Sequence, residues 1–297
     1  MSYLIKSDFL PNSTTSAFIH LDSEKQFKIN QTALGKDWHW YDKSFSYQIN
    51  DYGYRMNKDL HEVNFDNYMV FFGCSYTMGA GLPLEDTFAY RIAQRANMDY
   101  VNAAVCGSGP DFVFYNFTKL ISSAPNLPKI IVINWPNIAR TMYWYKDNII
   151  NFIPDTASAP DSKGVKFWMN SYKTHMLESS NYLNRFDYIR RNIIVFCNLL
   201  GIKLLEVTTD QYTVHYNSEY YINARMWLVP WIREWPIKLK GRELLEFQNQ
   251  YFARDIAPNN NKILDLLQYS DDLVGFAHPG IAYQDEVVNK FFRTLDI

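Results

Sequence analysis

The sequence has little of what marks several large classes of protein. Its 297 residues include only three cysteines, Cys74, Cys106 and Cys197, which lack the short spacings of a zinc site and whose odd number argues against a disulfide framework. The six histidines are scattered singly, without a metal-ligand pair at helical spacing. With 29 basic and 31 acidic residues the formal charge is −2, which predicts no general attraction to nucleic acid. We therefore expect neither a bound metal nor a nucleic-acid partner.

Long apolar runs are also lacking. None reaches the roughly 18 residues of a membrane span, and Lys6 and Asp8 come too early for a signal peptide, which predicts a soluble, cytoplasmic protein. Aromatic residues, in contrast, are abundant: 20 Phe, 22 Tyr and 8 Trp. Since 47% of the residues are hydrophobic and only 20% are charged, the chain can bury a large core, and this excludes wholesale disorder.

Strand and helix patterns alternate along most of the chain. Short continuous apolar runs at 68–73, 130–135 and 202–208 predict strands buried on both faces, with a shorter strand at 99–104. Helical patterns lie between them, and the last helix closes the chain. This alternation predicts an α/β fold, a doubly wound (flavodoxin-like) α/β/α sandwich with a mostly parallel central sheet.

The same patterns predict how the chain is divided. Residues 1–66 show no sustained period, and we interpret them as an N-terminal extension packed on the domain. Residues 67–297 form the main domain, with aromatic-rich insertions at about 140–180 and 210–270. The sequence predicts no oligomeric state.

Polar and small residues follow the predicted strands, where sites form in open parallel sheets. The first such loop is 73–82 (GCSYTMGAGL), the second 102–109 (NAAVCGSG) and the third 134–137 (NWPN). A fourth segment, 277–280 (AHPG), precedes the final helix. We expect all four to meet at one edge of the sheet.

In this order the four segments resemble the sequence blocks of the SGNH/GDSL hydrolases, a family of serine esterases, lipases and carbohydrate deacetylases. The family's Gly-Asp-Ser block, with Thr and Gly two and four residues after the Ser, corresponds to Gly73-Cys74-Ser75 with Thr77 and Gly79. Only its Asp is replaced, by Cys74. An Asn-x-x-Gly-x-Arg element that precedes this block in a subset of the family corresponds to residues 50–55.

The later blocks match less completely. Asn102 and Gly107 fit the second block, and Asn137 fits the Asn of the third, although Trp135 and Ile138 replace its neighbouring Gly and Asp. His278, followed by Pro, fits the second half of the Asp-x-x-His block.

The resemblance implies an esterase that needs no cofactor. Ser75 would attack the ester and His278 would act as general base and then as acid, because a serine hydroxyl is a poor nucleophile until a base takes its proton. The amides of Ser75 and Gly107 and the side chain of Asn137 would form the oxyanion hole. The expected substrate is a small-molecule or carbohydrate ester, such as a sugar O-acetyl group.

One departure concerns the acid that orients the histidine. Position 275, three residues before His278, is Gly instead of Asp. Asp272 is the preferred candidate, Asp271 and Asp255 are alternatives, and a Ser-His dyad oriented by a backbone carbonyl is a further possibility.

Other interpretations of these residues stay open. Ser75 could be a helix cap, Gly107 a turn residue, and Asn137 and His278 plain loop residues. The alternative function is a catalytically weak SGNH-like domain that binds a glycan or a protein partner through its aromatic insertions. Acyl transfer to an acceptor other than water is a third possibility.

Overall fold

The computed structural model of the chain describes residues 4–7, 14–19, 22–145, 148–152, 163–177, 181–208, 221–223, 246, 249, 253–254 and 278–295. The strands are β1 (Thr14–Ser16), β2 (Tyr47–Ile49), β3 (Tyr68–Phe72), β4 (Asp99–Asn102), β5 (Ile130–Trp135), β6 (Thr141–Tyr145), β7 (Asn148–Phe152), β8 (Lys203–Thr208) and β9 (Tyr221–Asn223). The α-helices are α1 (Glu24–Leu34), α2 (Ser75–Met78), α3 (Phe88–Arg95), α4 (Pro110–Ser123), α5 (Lys163–Tyr172), α6 (Asn181–Leu200) and α7 (Ile281–Leu295).

The centre of the fold is a five-stranded sheet in which every pair is parallel. Its order is β4-β3-β5-β8-β9. The chain therefore begins the sheet at β3, adds β4 on one side and then crosses over to add β5, β8 and β9 on the other. This is the doubly wound, flavodoxin-like order, and it creates a switch point between β3 and β5. The predicted fold class is confirmed.

Helices cover both faces of the sheet. Alternate residues of β3 point to opposite sides: Val70 packs in a cluster with α4 and α6, whereas Met69 and Phe71 pack in a second cluster with α3 and α7. Every residue of β3 and β5 is buried. A strand enclosed on both faces has no polar face, which explains why the sequence shows continuous apolar runs there.

The predicted elements agree with the structure apart from a few boundaries. The sequence also predicts helix caps at Asp86 and Asp111. The first of these helices instead begins at Phe88 and is capped by Thr87, whose hydroxyl accepts the Tyr90 amide. The second has Gly109 as its N-cap, two residues before Asp111, and begins at Pro110, because proline suits the first helical position. Asp111 therefore lies in the first turn.

Three regions hold more regular structure than expected, and one of them is the insertion predicted at 210–270, which contributes β9 to the central sheet. The segment 1–66 contains α1 and an antiparallel pair of strands, β1 and β2. The insertion at 140–180 contains the antiparallel pair β6 and β7, followed by α5 and a π-helical turn, Lys173–Leu177. The domain limits stay a prediction.

Among the described residues, no helix is long and apolar enough to cross a membrane. Within the same residues, no group of three or more His, Cys, Asp or Glu side chains has the arrangement of a metal site.

Candidate active site

The turn after β3 presents Ser75 at the start of a short helix. The N-cap of α2 is Cys74, whose carbonyl accepts the Thr77 and Met78 amides at 3.1 and 3.0 Å. Ser75 is therefore the first helical residue, and its hydroxyl does not cap the helix. The side chain is almost buried, with 8% of the residue exposed. A sharp strand-to-helix turn thus places the hydroxyl at the carboxyl end of a central strand.

Gly73 allows this turn to pack tightly. A Cβ atom at this position would lie 2.1 Å from Thr77 Oγ1 and 2.8 Å from the carbonyl oxygen of Asn134. Any side chain would push α2 away from β5. The glycine of the first sequence block is therefore required by the close approach of two backbones.

The second loop lies directly against the first. The carbonyl of Gly73 accepts hydrogen bonds from the Val105 amide at 3.2 Å and the Ser108 hydroxyl at 3.0 Å. The buried side chain of Asn102 donates to the Thr77 carbonyl at 3.2 Å. Gly107 lies within this loop, half-buried and with a left-handed φ of 76°. The structure thus brings the loop of Gly107 next to the turn of Ser75.

The third loop is more open. Asn137 is exposed, its Oδ1 accepts the Ala139 amide at 2.9 Å, and its carbonyl accepts the Arg140 amide at 3.1 Å. The loop touches the second one, because a Cβ atom on Gly109 would lie 2.5 Å from the carbonyl oxygen of Arg140. Asn137 therefore belongs to the same edge of the sheet, on its solvent side.

His278 reaches this edge from the other end of the chain. It precedes α7, is 7% exposed, and its ring lies edge-on to that of Tyr76, with the centroids 6.0 Å apart. Because Tyr76 follows Ser75 in the chain, the histidine lies beside the turn of the candidate nucleophile. The three candidate acids, Asp255, Asp271 and Asp272, lie outside the described residues, as does Gly275.

One contact at this edge, between Asn134 and Tyr283, was not predicted. Asn134, near the end of β5, donates through Nδ2 to the hydroxyl of Tyr283 at 3.0 Å, and both residues are buried. Burial raises the pKa of Tyr283, so its hydroxyl stays neutral. Asn134 Oδ1 has no hydrogen-bond partner among the described residues. An asparagine inside the apolar run IIVINW was a signal for a polar contact in the core.

Arg55 also contributes to this edge. Its buried guanidinium donates to the carbonyls of Gly79 at 2.5 Å, Met78 at 3.2 Å and Leu82 at 2.6 Å. These carbonyls end α2 and begin the next loop. The element at 50–55 therefore fastens the chain just after Ser75.

Together, these residues define an α/β protein with a polar site at the carboxyl edge of its parallel sheet. No protein-family model and no curated protein matches the sequence. A lipolytic protein of the G-D-S-L family from Veillonella parvula has a similar solved structure. It is 12% identical, and the similarity covers 76% of this chain and 96% of that chain with a TM-score of 0.31.

Carbohydrate esterases are among the other similar structures. A family 2 enzyme with a carbohydrate-binding domain from Corynascus thermopiles is 13% identical, with 86% of this chain and 73% of that chain covered and a TM-score of 0.33. A family two carbohydrate esterase from Clostridium thermocellum is 13% identical, with 78% and 65% covered and a TM-score of 0.29. Values this low assign neither a family nor an activity to this chain.

Proposed function

We propose that the protein is a serine hydrolase that cleaves an ester at the edge formed by the loops after β3, β4 and β5. The observation that supports it most is the contact between His278 and Tyr76, because it brings His278, in the loop just ahead of α7, to the turn that begins with Ser75. Both Ser75 and His278 are nearly buried yet retain some exposure. Such a site excludes most water while admitting a substrate.

In the proposed reaction, His278 accepts the proton of the Ser75 hydroxyl while the oxygen attacks the carbonyl carbon of the ester. The tetrahedral oxyanion is bound by the amides of Ser75 and Gly107 and by Nδ2 of Asn137. Since Ala139 holds Oδ1 of Asn137, the same amide group keeps its nitrogen as the available donor. His278 then protonates the leaving alcohol, and water, activated in the same way, releases the acid.

The proposed orienting acid is Asp272, with Asp271 and Asp255 as alternatives. One described contact bears on Asp255: the Ala253 amide donates to the carbonyl of His278 at 3.0 Å. Ala253 precedes Asp255 by two residues in the chain, which is the reason for keeping Asp255 as an alternative. Asp272 precedes His278 by six residues and needs a compact turn to reach the imidazole.

The substrate that we propose is a small-molecule or carbohydrate ester. A fluorophosphonate probe tests the mechanism without knowledge of the substrate, because it reacts with an activated serine. We expect one adduct on Ser75, located by mass spectrometry, and hydrolysis of p-nitrophenyl acetate. Ser75→Ala should lose both, whereas Ser122→Ala, at an exposed position on α4, should lose neither.

The labelling experiment also separates this proposal from the alternative. If the wild-type protein carries no adduct and hydrolyses no ester, the proposal that it is a serine hydrolase is wrong. A glycan- or protein-binding domain on the same fold would then be the better account.

A further inference from the structure

A buried ion pair lies beside the candidate active site and joins distant parts of the chain. Arg254 donates to Asp22 through Nε at 3.0 Å and through Nη2 at 2.7 Å. The side chains are only 2% and 1% exposed. The guanidinium also lies over the ring of Phe45, 3.7 Å from its centroid. An arginine bound by both arms of a carboxylate is held in one orientation.

The backbone around this pair touches both halves of the site. The Arg254 amide donates to the carbonyl of Gly81 at 3.0 Å, and the neighbouring Ala253 amide donates to the carbonyl of His278 at 3.0 Å. Gly81 lies in the loop that follows Ser75 and α2. Two adjacent residues therefore bridge the loop of the proposed nucleophile and the loop of the proposed base.

Tyr47 contacts both Asp22 of the ion pair and Gly81 of the Ser75 loop. Its hydroxyl accepts the Gly81 amide at 2.7 Å and donates to Oδ2 of Asp22. The amide and the carbonyl of Gly81 are thus both bound, one by Tyr47 and one by Arg254. The ion pair fixes where these two partners sit relative to each other.

We propose that Tyr47, Asp22 and Arg254 form a positioning cluster that holds the Ser75 loop and His278 at the distance that proton transfer needs. This rests on the proposed function. Proton transfer from serine to histidine requires the two groups within hydrogen-bond reach, and a displacement of about 1 Å lowers the rate strongly. Arg254 belongs to the pair of residues, 253–254, that hydrogen-bonds to both loops, so a shift of its side chain should change the distance between them and lower the rate.

The chain offers a matched control for this proposal. Tyr47 and Tyr54 are both fully buried tyrosines of the N-terminal segment. The hydroxyl of Tyr54 also makes two hydrogen bonds, to the carbonyl of Ile5 at 2.7 Å and from Nδ2 of Asn116 at 2.8 Å. Neither of these partners belongs to the site. Tyr47→Phe and Tyr54→Phe therefore remove equivalent groups, one linked to the Ser75 loop and one not.

The first measurement is the rate at which a fluorophosphonate labels Ser75 in the full-length protein. We expect Tyr47→Phe to lower this rate roughly tenfold and Tyr54→Phe to leave it within about twofold, while both lower Tm. Equal labelling rates in the two variants would overturn the proposal. A wild-type protein that is not labelled at all would instead overturn the proposed function.

The second measurement does not require activity. Hydrogen–deuterium exchange should rise in peptides that cover 75–82 and in peptides that contain residue 278 when Tyr47 is replaced by Phe. Tyr54→Phe should change neither. If Tyr47→Phe raises exchange in only one of the two segments, the cluster does not couple them and the proposal is wrong.

Discussion

The two loops that leave the switch point of the sheet are held in different ways. The loop after β3, which carries Ser75, is buried and fastened from outside by Arg55, Tyr47 and Asn102, all of them buried. In the loop after β5, Asn137 is exposed and Ala139 and Arg140 are half-buried, and the Asn137 side chain makes the turn with which the loop begins. The first loop is therefore rigid by packing, and the second faces solvent.

The loop after β5 is held in place by hydrogen bonds from two later helices, α5 and α6. Arg185 on α6 donates through Nη2 to the carbonyls of Ile138 and Arg140, both at 2.8 Å. The hydroxyl of Tyr172 on α5 donates to the carbonyl of Ala139 at 2.9 Å. A groove of about 670 Å³ opens beside these residues, with Trp168 in its lining. The loop of the proposed nucleophile is therefore held by the core, whereas the loop after β5 adjoins a surface groove.

The largest effect on activity should follow from replacing Ser75 in the buried loop after β3. Ser75→Ala is expected to lower hydrolysis of p-nitrophenyl acetate by roughly 10³-fold or more, because no other group replaces the nucleophile. The fold should stay intact, since only a hydroxyl is lost. Far-ultraviolet circular dichroism and a steady-state assay measure both. Retained hydrolysis would move the nucleophile to another residue.

In the loop after β5, replacing the exposed Asn137 should lower the catalytic rate without lowering the stability of the fold. Asn137→Ala is expected to lower kcat by roughly 10²-fold through loss of one oxyanion donor, with little change in Tm because the side chain is exposed. Asn126→Ala, at an exposed position ahead of β5 and thus at the opposite end of that strand, is the control and should keep full activity. If Asn137→Ala keeps wild-type kcat, the oxyanion hole has two donors at most.

The next prediction concerns the acid that would orient the imidazole of His278. Asp272→Asn is expected to lower kcat/KM at least tenfold, because an imidazole in the wrong tautomer cannot accept the proton of Ser75. Asp271→Asn should have a smaller effect, and Asp255→Asn tests the remaining alternative. Steady-state kinetics of the three variants rank the candidates. Full activity in all three would indicate a dyad oriented by a carbonyl.

The smallest effects are expected on the free energy of unfolding, when the two arginines that hold the loops after β3 and β5 are replaced. Arg55→Lys should lower the free energy of unfolding by about 1–3 kcal/mol, since buried carbonyls lose their donors. Arg185→Lys should lower it by about 1 kcal/mol or less, because its side chain is 17% exposed and water can replace part of the interaction. Urea unfolding measures both. Equal losses would mean that the two loops are held equally.

Much of the fold could be predicted from the sequence, because strands buried on both faces must be continuously apolar. The runs at 68–73, 130–135 and 202–208 became β3, β5 and β8. In contrast, no hydrophobic pattern in the sequence predicts the helix α1. Its only buried residue is Asn30, so it has no apolar stripe from which a helical period could be recognised.

For the candidate site, the sequence indicates which residue types follow the strands, and their roles stay a prediction. The contacts of His278 with Tyr76, of Asn134 with Tyr283 and of Arg254 with Asp22 are visible only in the folded protein. These partners are separated by 149 residues or more. Local patterns cannot reveal such contacts, because they arise only when the crossovers of a parallel sheet bring distant segments to the same edge.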